Sequence, residues 1–190
     1  MEEQQLYEKY LNGRHWENHP TLYAEKFLDF LKENKFKGLL VDIGCGDGRD
    51  TNFFFKKGIK VIGIDYSEDE INNAKKKFPE TNFEIQNAEH LQFKNDSIDA
   101  FFMINVIHYI DKRKALDEIM RTLKSKGYFF IHFNMKITDG KGNLDYKHAE
   151  EDIKELISGF KVISSNVFTR KDCEPFEHNH KIMELILQKK

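Results

Sequence analysis

The stretch Leu39–Thr51, LLVDIGCGDGRDT, limits what this chain can fold into more than any other. An apolar run ends in an acid, glycines follow at alternate positions (Gly44, Gly46 and Gly48), and a polar helix start comes next. Such glycines allow a tight turn and close ligand approach, and the first helical turn offers unbonded N–H groups. A strand, turn and helix of this kind open an α/β sheet whose ligands sit outside the carboxyl ends of its strands.

The rest of the chain continues the alternation. LLVDI (39–43), KVIGID (60–65), NFEIQ (82–86), DAFFMIN (99–105) and GYFFIHF (127–133) read as strands. Helices are expected near 2–11, 20–33, 49–57, 68–78 and 111–124. In the last of these, Ala115, Leu116, Ile119, Met120 and Leu123 form an apolar stripe at helical spacing. Ser67, three residues before Glu70, reads as the N-cap of the 68–78 helix. Strands alternating with helices imply right-handed crossovers and a parallel sheet covered on both faces. A polar loop, MKITDGKGNLDYKH (135–148), is expected next, then a short helix near 149–158 and two strands near 160–169 and 181–188. The expected class is therefore α/β, a three-layer sandwich. Its sheet is seven-stranded and mostly parallel, with a C-terminal antiparallel hairpin strand and helices on both faces. The chain reads as one domain over 1–190: an N-terminal helical lid segment (1–36), a cofactor-binding half (37–133), and a loop, helix and C-terminal strands (134–190).

With 39% hydrophobic and 33% charged residues, the composition suits a globular fold. A net charge of -2 gives no overall electrostatic footprint for nucleic acid. No apolar run approaches the roughly 18 residues of a membrane span. The opening MEEQQLYEKYL lacks the charged and apolar regions of a secretory signal. With Cys45 and Cys173 the only cysteines, the expected location is a reducing cytoplasm.

The glycine turn reads G-x-G-x-G, not the G-x-G-x-x-G of dinucleotide sites. Asp42, two residues before Gly44, is awkward beside a pyrophosphate but suits an ammonium group. Asp65, closing GIDYS, can accept both hydroxyls of a ribose through its two oxygens. A ligand with a ribose, an amino-acid end and no phosphate is S-adenosylmethionine.

These residues resemble the class I, seven-stranded S-adenosylmethionine-dependent methyltransferases. VDIGCGDG is similar to that family's first motif, GIDYS to its ribose-binding second, IQNAEHLQF to its third, and DAFFMINVIHYI to its fourth, in order from about 38 to 133. The resemblance implies S-adenosylmethionine as cofactor and S-adenosylhomocysteine as product. The cofactor would be bound by Asp42, Gly44, Cys45, Gly46, Gly48, Asp65, Tyr66, Asn87, Ala88, Glu89 and Asn105. Asn87 stands where the family commonly has Asp, and KSKG (124–127) where it often has a proline and two glycines. Arg49 and Asp50 read as solvated first-turn residues.

In the fourth motif, Asn105 is expected at a strand end, with His108 and Tyr109 just beyond, near the transferred methyl group. His108 is the candidate base; the alternative is a packing residue at a helix start. The motif is not the Asn/Asp-Pro-Pro-aromatic sequence of enzymes that methylate base amino groups. The segment YEKYLNGRHWENHP carries Tyr10, Arg14 and Trp16, the candidate lid. His178 and His180 alternate, so on a strand they share a face. With no third ligand evident, they suit a substrate mouth or an ordinary surface better than a metal. The His-x-His and the final apolar strand loosely resemble small tellurite- and thiopurine-type methyltransferases.

The expected acceptor is a small molecule, and the expected assembly a monomer or homodimer, with no membrane partner. Nucleic acid is disfavoured, because Lys56, Lys57 and Lys75–Lys77 read as a solvated helix face. An RNA or protein methyltransferase, a non-catalytic cofactor-binding module and a nicotinamide-dependent oxidoreductase are the competing readings.

Overall fold

The computed structural model describes residues 20–139, 144–147, 157–172 and 177–190. The helix expected near 2–11, nearly all of that near 149–158, Tyr10, Arg14, Trp16 and Cys173 lie outside the described residues.

Helix α1 (Leu22–Glu33) comes first, then β1 (Leu39–Ile43), α2 (Arg49–Lys56), β2 (Lys60–Asp65), α3 (Glu68–Lys77), β3 (Asn82–Ile85), β4 (Ile98–Ile104) and α4 (Lys112–Thr122). Strands β5 (Leu123–Asp139), β6 (Leu144–Lys147), β7 (Phe160–Asp172) and β8 (His178–Lys189) complete the described elements. The sheet runs β3-β2-β1-β4-β5-β8-β7, with the short β6 paired to β5. Strands β1 to β5 pair in parallel, while β8 is antiparallel to both β5 and β7. The expected mostly parallel seven-strand order with an antiparallel C-terminal pair is thus observed, with β6 added.

Local chemistry sets the helix starts. The Thr21 hydroxyl accepts from the Ala24 N–H and caps α1. The Ser67 hydroxyl accepts from the Glu70 N–H, the cap read from the sequence. Acids fill the first turn of α3 and Lys75–Lys77 its last, complementing the helix dipole.

Alternate strand residues face opposite ways. On one face Leu40, Val61, Ala100, Phe102 and Phe130 meet α1 and α2. Phe102 is the hub there, with ring centroids 5.8, 5.1 and 5.1 Å from Phe27, Phe54 and Phe130. On the other face Val41, Ile43, Phe101, Met103, Phe129 and Ile131 pack with Ala115, Leu116 and Ile119 of α4.

The polar loop expected at 135–148 is corrected by the structure. β5 continues to Asp139, and residues 144–147 form β6 against it. The reason lies in pairing. β8 begins at His178, earlier than expected, and offers hydrogen-bonding partners to β5 through Asp139. Met135 and Ile137 are buried and Lys136 exposed, the alternation of a strand.

Candidate active site

The glycine turn wraps over the carboxyl end of β2. The Gly44 and Cys45 N–H groups both donate to the Ile64 carbonyl, at 2.8 and 3.0 Å. The Gly46 N–H donates to Asp65 Oδ2 at 3.0 Å, and the Ser67 N–H to Asp65 Oδ1 at 3.0 Å. Asp65 therefore clamps the turn as well as ending β2. Each carboxylate oxygen accepts one of these bonds and has lone pairs for two, so each keeps capacity for a ligand hydroxyl.

The glycines differ in what they leave room for. A Cβ on Gly44 would lie 2.1 Å from Val106 Cγ2, and one on Gly48 2.5 Å from the Phe83 ring. Those two spaces are filled by the protein's own side chains. A Cβ on Gly46 would meet only Glu70 Oε2, at 3.9 Å. Gly46 has φ +52°, a conformation glycine adopts freely. It is the glycine whose missing side chain leaves open space beside Asp65.

Asp42 is buried beneath this turn and accepts a hydrogen bond from Thr51 Oγ1 at 2.6 Å. Burial, and then the charge of Asp50, push its carboxyl up to about 8. Burial also holds the Cys45 thiol well above its ordinary range, so it is no nucleophile. Asp50 is not the solvated residue expected. It is buried, and its carboxylate accepts from the Thr21 N–H and hydroxyl at 2.8 and 2.9 Å, fixing the start of α1 to α2. Arg49 pairs with the same carboxylate.

Beside Asp65, Tyr66 is 69% exposed and Ile85, its neighbour on β3, 47% exposed. Ile85 ends β3 in register with Asp65, and Tyr66 follows β2. Asn87 Oδ1 accepts from the Glu89 N–H at 2.8 Å, and Glu89 Oε1 accepts from the Asp111 N–H at 2.9 Å. Glu89 thereby ties the third motif to the N-cap of α4. Ala88 is buried between them.

Asn105 is exposed at the end of β4, with φ +57° and its N–H donating to the His132 carbonyl at 2.9 Å. His108 is only 3% exposed, and its Nε2 accepts from the Asn134 N–H at 3.0 Å. That bond puts the ring proton of neutral His108 on Nδ1. Tyr109 packs edge-on to its ring. His178 and His180 share a face as expected, with ring centroids 4.6 Å apart, but both are buried rather than exposed. His180 Nδ1 lies 2.9 Å from Asn134 Oδ1. Asn134 thus joins His108 and His180, which come from distant parts of the sequence. Among the described residues, no group of three or more His, Cys, Asp or Glu is arranged to hold a metal ion.

Reading the sequence missed Asn134, His132 and Glu184. His132 and Asn134 alternate with apolar residues in the run FFIHFNM, and that polar pair in an otherwise apolar run is the signal available. His132 is 1% exposed, with the Tyr23 ring 4.0 Å away. Burial, and then the charge of Arg170, push its imidazole down to about 3. Glu184, directly opposite on β8, is 7% exposed.

An acid-ended β1, a glycine turn clamped by a second acid, and the strand order above together define a class I methyltransferase fold. Residues 41–131 match the family described as a methyltransferase domain. A Methanocaldococcus jannaschii protein, MJ0638, is 36% identical over 152 residues, which are 77% of this chain and 63% of that protein. The structure of a S-adenosylmethionine-dependent methyltransferase from Methanosarcina mazei superposes with a TM-score of 0.66 at 20% identity, covering 84% of this chain and 96% of that one. TehB from Haemophilus influenzae superposes with a TM-score of 0.66 at 17% identity, covering 87% of this chain and 62% of that one. In its 41–131 domain and in its fold the chain is similar to the class I S-adenosylmethionine-dependent methyltransferases. It spans between 46% and 63% of the length of the first curated relatives it matches. No described helix is long and apolar enough to cross a membrane.

Proposed function

We propose that the protein transfers a methyl group from S-adenosylmethionine to a small-molecule acceptor. The observation that carries this reading is the open position at Gly46 beside the Asp65 carboxylate, where backbone and ribose hydroxyls can meet. The residues present suit the cofactor. Asp65 accepts from the ribose, Tyr66 and Ile85 offer a flat apolar surface to the adenine, and the Ala88 N–H is a donor at its edge. Asp42 lies beneath the turn, toward the amino-acid end, with Gly44, Cys45, Gly48 and Asn105 supplying backbone around it. Asn87 and Glu89 shape the adenine end of the site.

The bound cofactor supplies an electrophilic methyl group on a sulfonium, which an aligned nucleophile takes in one in-line displacement. The chain's part is to position the acceptor and exclude water. His108 suits positioning better than base catalysis, because its Nε2 lone pair already accepts from the β5 backbone. Through Asn134 it braces β5 where that strand passes the end of β4, on which an acceptor would rest. Tyr109 packs it in place.

A small acceptor is favoured over RNA because Lys75–Lys77 lie at the end of a helix whose first turn is acidic, and Lys77 is paired with Asp47 at 2.9 Å. Calorimetric titration with S-adenosylhomocysteine tests the reading. Micromolar or tighter binding is expected, with no heat from NADH. A folded protein that binds NADH and not S-adenosylhomocysteine would overturn it.

A further inference from the structure

His132 and Glu184 face each other across β5 and β8, on the side of the sheet that α1 covers. Both are more than nine-tenths buried. Among the described residues, neither ring nitrogen of His132 has a hydrogen-bond partner, and neither does Glu184 Oε1. The other oxygen, Oε2, has Lys26 Nζ and Asn166 Nδ2 each at 3.4 Å. Buried polar atoms are almost always paired, because leaving them bare forfeits their hydration without return. Two such side chains in register on neighbouring strands call for a missing partner.

Their location gives the partner a role. The His132 carbonyl accepts from the Asn105 N–H, so the pair begins one hydrogen bond from the end of β4. Ile104, the residue before Asn105, pairs with His132 across the strands. Strand spacing of about 4.8 Å sets His132 roughly 10 Å from the end of β1 and its glycine turn. That is the separation an acceptor must bridge to meet a methyl group bound at that turn. Tyr23, at the start of α1, supplies an aromatic wall.

The unpaired atoms also specify chemistry. A neutral imidazole offers one N–H donor and one lone pair, and Glu184 Oε1 offers further lone pairs. Acceptor positions outnumber donors. A carboxylate or phosphate would bring only more acceptors and would face Glu184. A hydroxyl or neutral amino group brings an N–H or O–H donor for the imidazole lone pair or for Glu184 Oε1, and a lone pair for the imidazole N–H.

We propose that Tyr23, His132 and Glu184 seat the methyl acceptor, and that this acceptor is a small amine or alcohol held through its N–H or O–H groups. The proposal rests on the methyltransferase reading above and names the substrate class of that site.

The test uses the full chain, isotopically labelled and saturated with S-adenosylhomocysteine, with the His132 ring nitrogens followed by NMR. Ethanolamine and glycerol are the donor probes; acetate and phosphate are the anionic ones. Either donor probe at millimolar concentration is expected to shift the His132 signals, and the anions are not. Glu184→Gln is expected to weaken that binding about tenfold while leaving the affinity for S-adenosylhomocysteine unchanged. Shifts from an anion alone, no shift from either donor, or full probe affinity in Glu184→Gln would each overturn the proposal. Failure of the wild type to bind S-adenosylhomocysteine would instead sink the methyltransferase reading, which that titration reports separately.

Discussion

The carboxyl of Asp42 makes a quantitative prediction about stability. Its value in the fold is about 8, against 3.8 for an ordinary aspartate. The native state keeps this proton while the unfolded chain gives it up, so the contribution of Asp42 is complete below 3.8 and is lost as pH rises toward 8. Each unit of displacement corresponds to about 1.4 kcal/mol, so the full interval amounts to at most about 5–6 kcal/mol. Structural relaxation around an ionised Asp42 would return part of that. His132 works with the opposite sign. Its contribution is complete above 6.5 and is lost as pH falls toward 3. The two slopes oppose each other in mild acid, and that of Asp42 stands alone above 6.5. Asp42→Asn keeps the shape and an oxygen for the Thr51 hydroxyl while removing the titration. Denaturant unfolding of the ligand-free protein should show the variant gaining on the wild type by up to ~1.4 kcal/mol per pH unit between about pH 5 and 8. Parallel pH curves for the two proteins would refute the reasoning. A linked result is expected from calorimetry. If the ligand's ammonium meets Asp42, binding at neutral pH releases a proton from the wild type and none from the variant, read as heats that depend on the buffer.

Further outcomes are expected elsewhere. Asp65→Ala should abolish binding of S-adenosylhomocysteine and also cost about 1–3 kcal/mol, because the Gly46 and Ser67 N–H groups lose their acceptor; unchanged affinity would remove Asp65 from the site. Asp50→Ala should lower stability by about 1–3 kcal/mol through release of Thr21 at the start of α1, and hydrogen exchange should rise first in that helix. His108→Ala should reduce turnover of the true acceptor with little change in cofactor affinity. A turnover–pH profile that keeps its shape in that variant would support positioning, and loss of a basic limb would mark His108 as the base.

The strands of the parallel half were legible because each is a short apolar run delivered to a turn, as at Leu39–Ile43 and Lys60–Asp65. The cap at Ser67 was legible because it depends on residues three apart. The site's acids could be located from spacing alone, but their partners could not. Asp50 reads as a helix-start acid, and nothing local reveals that Thr21, 29 residues earlier, is what it binds. The end of β5 was hidden for a related reason. Met135 and Ile137 keep the alternating burial of a strand, but the polar residues Lys136, Thr138 and Asp139 between and after them read as loop. His132 and Glu184 were hidden because their meeting depends on that antiparallel register, joining residues about fifty apart.

The position of β8 bears on how the molecule is made. β7 precedes β8 in the chain, yet its pairing within the described sheet runs through β8, which lies between it and β5. During synthesis β7 therefore emerges before the strand that attaches it, as a nascent ribbon with unsatisfied backbone on both sides. The apolar side chains Val162, Ile163 and Val167, still exposed in the finished fold, are bare throughout that interval. In the waiting time between those two strands, set by the pace of the ribosome, that bare edge is open to capture by a chaperone or by another nascent copy.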